Sequence, residues 1–205
     1  NLPLGELKEG AILRMLGEVL PDESESTLRE LADAVGRHTL TLSVMARTVR
    51  ESKGKLTAQK LLQSLRTGTS ASDSILDHLR LVFRASGLSK IAKSVMACAG
   101  LFPQGGISSE LLMTLLTPEQ WLTANQLERS GWLRFDAYNN VWSVHPMVRA
   151  VCAAEKTVQP SWETVGSFVE ALRQMQKDFG LEDDIKLSVL SRFPDVLVLE
   201  EKETD

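Results

Sequence analysis

The chain has little cysteine and no excess of basic charge, and both absences limit what it can be. Only two cysteines, Cys98 and Cys152, occur in 205 residues, each within an apolar helical pattern. Two thiols do not make a disulfide framework, so we expect buried, reduced cysteines in a cytoplasmic protein. The 23 basic residues are outnumbered by 27 acidic ones, which argues against a surface that neutralises many phosphates. We therefore do not expect a nucleic-acid partner.

Membrane spans and the common catalytic motifs are also missing. No stretch approaches the about 20 apolar residues of a membrane span, and the N-terminus has no basic region leading into an apolar signal core. The three histidines and two cysteines are far apart in the sequence and form no paired metal-ligand motif. A G-x-x-x-x-G-K-[S/T] phosphate loop and a G-x-S-x-G elbow are absent as well. We predict a chain that is not an enzyme by itself and binds no metal alone.

The first third of the sequence has the pattern of a small helical bundle. Apolar residues recur at spacings of three and four, and turn or capping residues interrupt them, so four short helices are predicted within residues 1–68. Residues 67–72 are small, polar and contain a glycine. We place a linker and a domain boundary there.

In the middle of the chain the spacing of the apolar residues changes from helical to strand-like. This change predicts a winged-helix domain over residues 73–156. Several helical stripes come first, and two short aromatic and β-branched segments, 132–135 and 141–144, then flank a turn-forming stretch. This is the pattern of a β-hairpin wing that packs on helices. Residues 160–205 are again helical in pattern and are interpreted as the start of a truncated sensor or repeat region. The predicted fold is mainly α: a helical bundle, a winged helix with one hairpin, and further C-terminal helices.

Two short motifs carry the functional argument. In the first, a turn at Gly36 is followed at once by a helix with Thr39 and Leu40 in its first turn, whose free N–H groups could face an anion or a nucleotide base. The alternative is an ordinary turn between helices. In the second, His145 ends a strand and Pro146 starts a helix. An imidazole there either donates to a phosphate or simply caps the helix or packs under the hairpin.

The order of these features resembles the part of the NB-ARC family of STAND signalling NTPases that follows the P-loop domain. The likeness covers about residues 1–155 and includes Leu-Pro-Leu at positions 2–4, Gly-Arg-His-Thr-Leu-Thr-Leu at 36–42 and Val-His-Pro-Met-Val-Arg at 144–149. It implies a helical ARC1-like domain and a winged-helix ARC2-like domain. By position, His145 would sense the β-phosphate of ADP, and the turn beside the adenine would be built by Gly36, Thr39, Leu40 and Leu42.

The resemblance also implies a mechanism and partners. ADP or ATP would be shared with an upstream P-loop domain outside this chain, and a sensor domain would follow downstream. ADP would bridge the P-loop domain and the winged helix through His145, and exchange for ATP would release the winged helix and allow a homo-oligomer to form. Two departures stand out, because Thr39 takes the place of the usual proline and Pro146 that of the usual aspartate.

Two other function classes remain open. A winged helix can be a DNA-binding regulator, whose recognition helix would be residues 117–130. That segment carries Glu119 and Glu128 against Arg129, which is poor for attracting phosphates. The chain could instead be a protein-docking adaptor. Its anchors would then be Trp162, Phe168 and Leu172, which fit packing onto the winged helix equally well.

Overall fold

A computed structural model describes residues 8–68 and 74–179 of the chain. This described part contains ten α-helices, one short 3-10 helix and a three-stranded antiparallel sheet. The prediction of a mainly α fold is therefore confirmed. The weaker helical pattern and acidic tail predicted after residue 180 lie outside the described residues.

The first four helices are short and amphipathic, as their spacing predicts. Each buries its apolar stripe in the core, and Ser24 starts the second helix by accepting a hydrogen bond from the Thr27 N–H. The fourth helix continues further than predicted, because the Thr67 hydroxyl donates to the Gln63 carbonyl one turn back. The beginning of the predicted linker is thus helical, and its remainder lies outside the described residues. The helices are α1 (Glu9–Val19), α2 (Glu25–Ala34), α3 (Thr39–Glu51) and α4 (Ala58–Gly68).

Six more helices follow, and most begin at a hydroxyl side chain. Ser89 and Ser108 each accept a backbone N–H at the start of their helix, and Thr117 forms a capping box with Gln120. The sequence also predicts two of these starts, because Ser108 is a capping residue and Pro118 stands where a first helical residue is expected, and both are confirmed. The helices are α5 (Ile75–Ala85), α6 (Lys90–Ala99), α7 (Ser109–Leu115), α8 (Pro118–Arg129), α9 (Pro146–Ala154) and α10 (Trp162–Phe179), with the 3-10 turn Lys156–Val158 before the last.

The small sheet contains the predicted hairpin and one strand that the sequence did not reveal. The hairpin strands β2 (Arg134–Asp136) and β3 (Val141–Ser143) pair antiparallel, with Phe135 opposite Trp142. A two-residue strand, β1 (Ile107–Ser108), pairs with the other edge of β3, so the spatial order is β1-β3-β2. Strand β3 is central and leads directly into His145.

One continuous hydrophobic cluster extends through the described helices. Helix α5 packs against α3, α4 and α9, and α6 packs against α8. Phe83 meets Trp132 edge to face at 5.3 Å between ring centroids. Phe168 is fully buried and stacks on Phe102 at 6.5 Å. Phe168 is therefore a core residue, and the interpretation of it as an exposed docking anchor is wrong. The side chains of Trp162 and Leu172 lie outside the described part.

The described residues bear on three expectations, which concern the cysteines, membrane-spanning helices and metal-binding groups. Cys98 and Cys152 are free and buried, and burial raises the pKa of each thiol to about 12. Among residues 8–68 and 74–179, no helix is both long and apolar enough to cross a bilayer. The same ranges hold no group of three or more His, Cys, Asp or Glu side chains suited to a metal ion.

Candidate functional site

The turn before α3 is held in an unusual backbone conformation. Gly36 and Arg37 both have positive φ, 61° and 59°, which favours glycine at the first position. The Arg37 N–H donates to the Ala32 carbonyl at 2.9 Å and closes the end of α2. The Arg37 guanidinium also pairs with Asp33 at 3.0 Å and with Glu9 at 3.4 Å. These contacts fix the turn to α1 and α2. Gly36 itself is exposed.

The residues after this turn divide between the surface and the core. His38 is the N-cap of α3, and its Nδ1 lies 3.3 Å from the Oγ1 of the fully buried Thr41. Thr39 is exposed and Leu40 is partly buried against the core, whereas Leu42 is completely buried. Of the predicted residues, Gly36 and Thr39 are accessible to a ligand, Leu40 is partly so, and Leu42 is a core residue.

His145 is the N-cap of α9, and buried residues lie on both sides of it in the sequence. Its neighbours Val144 and Val148 are buried, while His145 itself is exposed. The Nδ1 atom accepts a hydrogen bond from the Met147 N–H at 3.1 Å. The capping interpretation of His145 is therefore confirmed. Because Nδ1 accepts, the neutral imidazole carries its proton on Nε2, which remains a donor for a ligand.

The fold brings His38 and His145 into one neighbourhood. Partial loss of hydration lowers the pKa of both imidazoles, because His38 is half-buried and the exposed His145 ring is still partly shielded by its neighbours, and the His38 charge lowers the pKa of His145 further. The spacing of the histidines in the sequence does not indicate this proximity, and only the resemblance implies that the turn at Gly36 and His145 lie at one nucleotide. Tertiary packing brings the start of α3 near the start of α9.

The lowered pKa values predict a pH dependence of stability. In the unfolded chain both histidines titrate near 6.5, so as the pH falls below that value the unfolded state takes up protons first. These two histidines should then contribute no pH dependence above pH 7, and the free energy of unfolding should decrease as the pH falls from 6.5 through the lower pKa values of the folded state. Urea unfolding at pH 7.5 and pH 5.5 measures the difference.

A double variant separates the two histidines from the other titrating groups. His38→Asn with His145→Asn places a residue suited to capping at both helix starts, of which only the start of α9 is capped by a side chain in the unaltered protein, and removes both imidazoles. Its unfolding free energy should change less than that of the unaltered chain between the two pH values. Equal changes in both proteins would contradict the assignment.

A groove near this site lies along α9. It has a volume of about 610 Å³, includes Pro146, Ala150 and Cys152 in its lining, and does not include His145. Arg149 also lines it and donates to the Pro103 carbonyl at 3.1 Å. The groove therefore begins beside the histidine motif without containing its imidazole.

The histidine pair can donate hydrogen bonds or, when protonated, offer positive charge to an anion. The imidazole N–H of His145 and the first N–H groups of α3 are the groups best suited to a phosphate or a polar ring. Comparison with known proteins gives no further identity, because no protein family, no curated protein and no solved structure matches the chain.

Proposed function

We propose that the chain is the regulatory segment of a STAND or NB-ARC signalling ATPase of the cytoplasm, and that it helps hold ADP in the resting state. In this proposal Gly36, Thr39 and Leu40 lie beside the adenine, and His145 donates to the β-phosphate. The nucleotide is bound mainly by an upstream P-loop domain, so this segment has no catalytic role itself. The observation that carries the proposal is the capped His145, whose Nδ1 accepts the Met147 N–H and whose Nε2–H remains a donor for a phosphate. The charge of His38, in the other motif, also lowers the pKa of His145, which agrees with a single shared site.

The order of elements after residue 74 supports the winged-helix part of the proposal. A helix, a short strand, two helices and a hairpin follow one another as α6, β1, α7, α8, β2 and β3. Winged helices share this order, in which the first strand pairs with the last strand of the wing. Here β1 pairs with β3 in the same way. Helices α7 and α8 then correspond to the helix-turn-helix.

Ion pairs between α9 and α5 would couple the nucleotide contact of His145 to the movement of both helices. The buried Glu155 at the end of α9 binds Arg80 and Arg84 of α5, so α9 and α5 would move together. Loss of the contact between His145 and ADP would release this unit from the nucleotide. A ligand shifts such an equilibrium only through contacts that differ between the two states, and the imidazole would supply one of them.

The first test is substitution of His145 in the full-length parent protein. His145→Asn keeps the helix cap but loses the imidazole donor, whereas His145→Ala loses both. Losing a hydrogen bond to a charged phosphate should speed ADP release about tenfold in both variants. Retained ADP after rapid gel filtration and the basal oligomeric state are the measurements. Unchanged ADP retention and unchanged basal activity in both variants would contradict the proposed role of His145.

The DNA-binding alternative has less support. Helix α8, the candidate recognition helix, exposes Glu119 and leaves Leu122 65% exposed. The chain just after α8 lies against α3, because a methyl group added at Gly131 would be 3.4 Å from the Arg47 Cδ. A helix that enters the major groove needs an open face with phosphate-binding side chains. A gel shift that weakened steeply with salt would nevertheless favour DNA binding over the switch.

A further inference from the structure

A polar groove lies between the end of α3, the turn joining α5 to α6, and α8. Its volume is about 430 Å³, and its lining includes Lys53, Lys55, Arg129, Thr48 and Trp132. This groove is at the opposite end of α3 from His38. A helix of 13 residues is about 20 Å long, so the groove is separate from the candidate nucleotide site.

Two residues that line this groove each carry a buried polar atom with no hydrogen-bond partner among the described residues. The two atoms are the Thr48 Oγ1 and the Trp132 Nε1, in side chains of residues that are 6% and 1% exposed. Buried polar groups are nearly always satisfied, and leaving one unpaired costs about 1–3 kcal/mol. The indole N–H can only donate. It therefore requires an acceptor atom, which a ligand in the groove could provide.

The charge of the groove is positive although the chain as a whole is acidic. Among the described residues, no carboxylate lies within ion-pair distance of Lys53, Lys55 or Arg129. Glu51 also lines the groove, but Arg50 binds it at 3.3 Å. Three uncompensated cations around one groove favour an anionic occupant.

The start of α6 adds to this positive field. Gly87 has a φ of 59° and turns the chain towards Ser89, the N-cap of α6, and both residues line the groove. A helix N-terminus presents free N–H groups and the positive end of the helix dipole. The cations and this helix start form one electrostatic site, and the unpaired indole supplies a directional contact.

We propose that this groove binds a small phosphate-bearing molecule. The phosphate would lie on Lys53, Lys55 and the start of α6, and another acceptor atom of the ligand would take the Trp132 Nε1–H. This site is independent of the proposed function at His145. Because its lining comes from α3 and from α8, an occupant would connect the first helices to the helix-turn-helix.

The test follows the indole signals of the chain in a two-dimensional 15N–1H spectrum. The chain has four tryptophans, and Trp132→Phe assigns the signal of interest. Titration with inorganic pyrophosphate at constant ionic strength should shift the Trp132 indole signal to saturation. The double variant Lys53→Gln with Lys55→Gln should weaken this binding about fivefold or more.

A matched control removes the same charge elsewhere. Lys60→Gln with Lys156→Gln alters two exposed lysines outside the groove and should leave the binding constant unchanged. An indole signal that never saturates, or equal weakening in both double variants, would overturn the site. A single-stranded oligonucleotide that moved the signal at lower concentration than pyrophosphate would overturn the assignment to a small molecule.

Discussion

Replacing Glu155 by glutamine is expected to lower the free energy of unfolding by about 2 kcal/mol. Glu155 is 6% exposed and ends α9, where it binds two arginines of α5. Its Oε1 lies 2.9 Å from the Arg80 Nε and 2.8 Å from the Arg84 Nη2, and its Oε2 lies 3.1 Å from the Arg84 Nε. Removing the carboxylate leaves both guanidinium groups with weaker partners. The expected loss is below that of a fully buried pair because Arg84 is 55% exposed and water reaches it.

Glu30→Gln is the matched control, since it removes the same charge from an exposed pair. Glu30 and Arg66 are 2.6 Å apart, with side chains 45% and 63% exposed. Exposed pairs contribute little, so this variant should lose less than about 1 kcal/mol. Urea unfolding at pH 7 compares the two variants. Equal losses would show that burial of Glu155 does not strengthen its contacts.

The pH dependence of the Glu155 contribution has a defined sign. Burial alone raises the pKa of Glu155, but the hydrogen bonds and charges of Arg84 and Arg80 outweigh it and hold the pKa below its ordinary value of 4.5. The stabilisation is therefore fully present above pH 4.5 and decreases as the pH falls through the lower pKa of the folded state. The unaltered chain and Glu155→Gln should converge in stability under acid conditions.

Helices were predictable from the sequence because their signals are local. The spacing of Leu28, Leu31 and Ala32 marks the buried face of α2, and all three are in the core. The Pro118 start and the Ser108 cap likewise depend on residues within one turn. The end of α4 was placed too early, because the composition of residues 67–72 suggested a linker whereas Thr67 bonds back to its own helix.

Long-range contacts were not predictable in the same way. Strand β1 has two residues, too few to show a period, and its partner β3 lies far along the sequence. The proximity of His38 to His145 depends on tertiary packing around α5, which contacts both α3 and α9, and no local spacing encodes it. In the sequence Glu155 is one more charged residue after a helix. A carboxylate directly after a strongly apolar helix, with arginines at positions 80 and 84 four residues apart, was the only signal available.

Replacing Gly106 by alanine should be among the most damaging single changes to the sheet, with a loss of about 3 kcal/mol. Gly106 precedes β1 and has a φ of 86°, where an alanine is strained. A methyl group there would also lie only 2.4 Å from the Trp142 carbonyl oxygen and 2.6 Å from the Val141 Cγ1. The first of these atoms belongs to the backbone of β3, so β1 would have to separate from the sheet.

Gly105→Ala is the adjacent control for this prediction. Apart from its two chain neighbours, no atom of the described residues lies within 4 Å of a methyl group at Gly105, and a glycine without positive φ tolerates alanine or is slightly stabilised by it. Thermal unfolding of the two variants should therefore differ by several degrees for a chain of this size. Because β3 leads into His145, Gly106→Ala should also weaken the His145 cap on the Met147 N–H. Similar stability of the two variants would mean that β1 contributes little to holding β3, and that His145 is positioned by α9 and its packing on α5 alone.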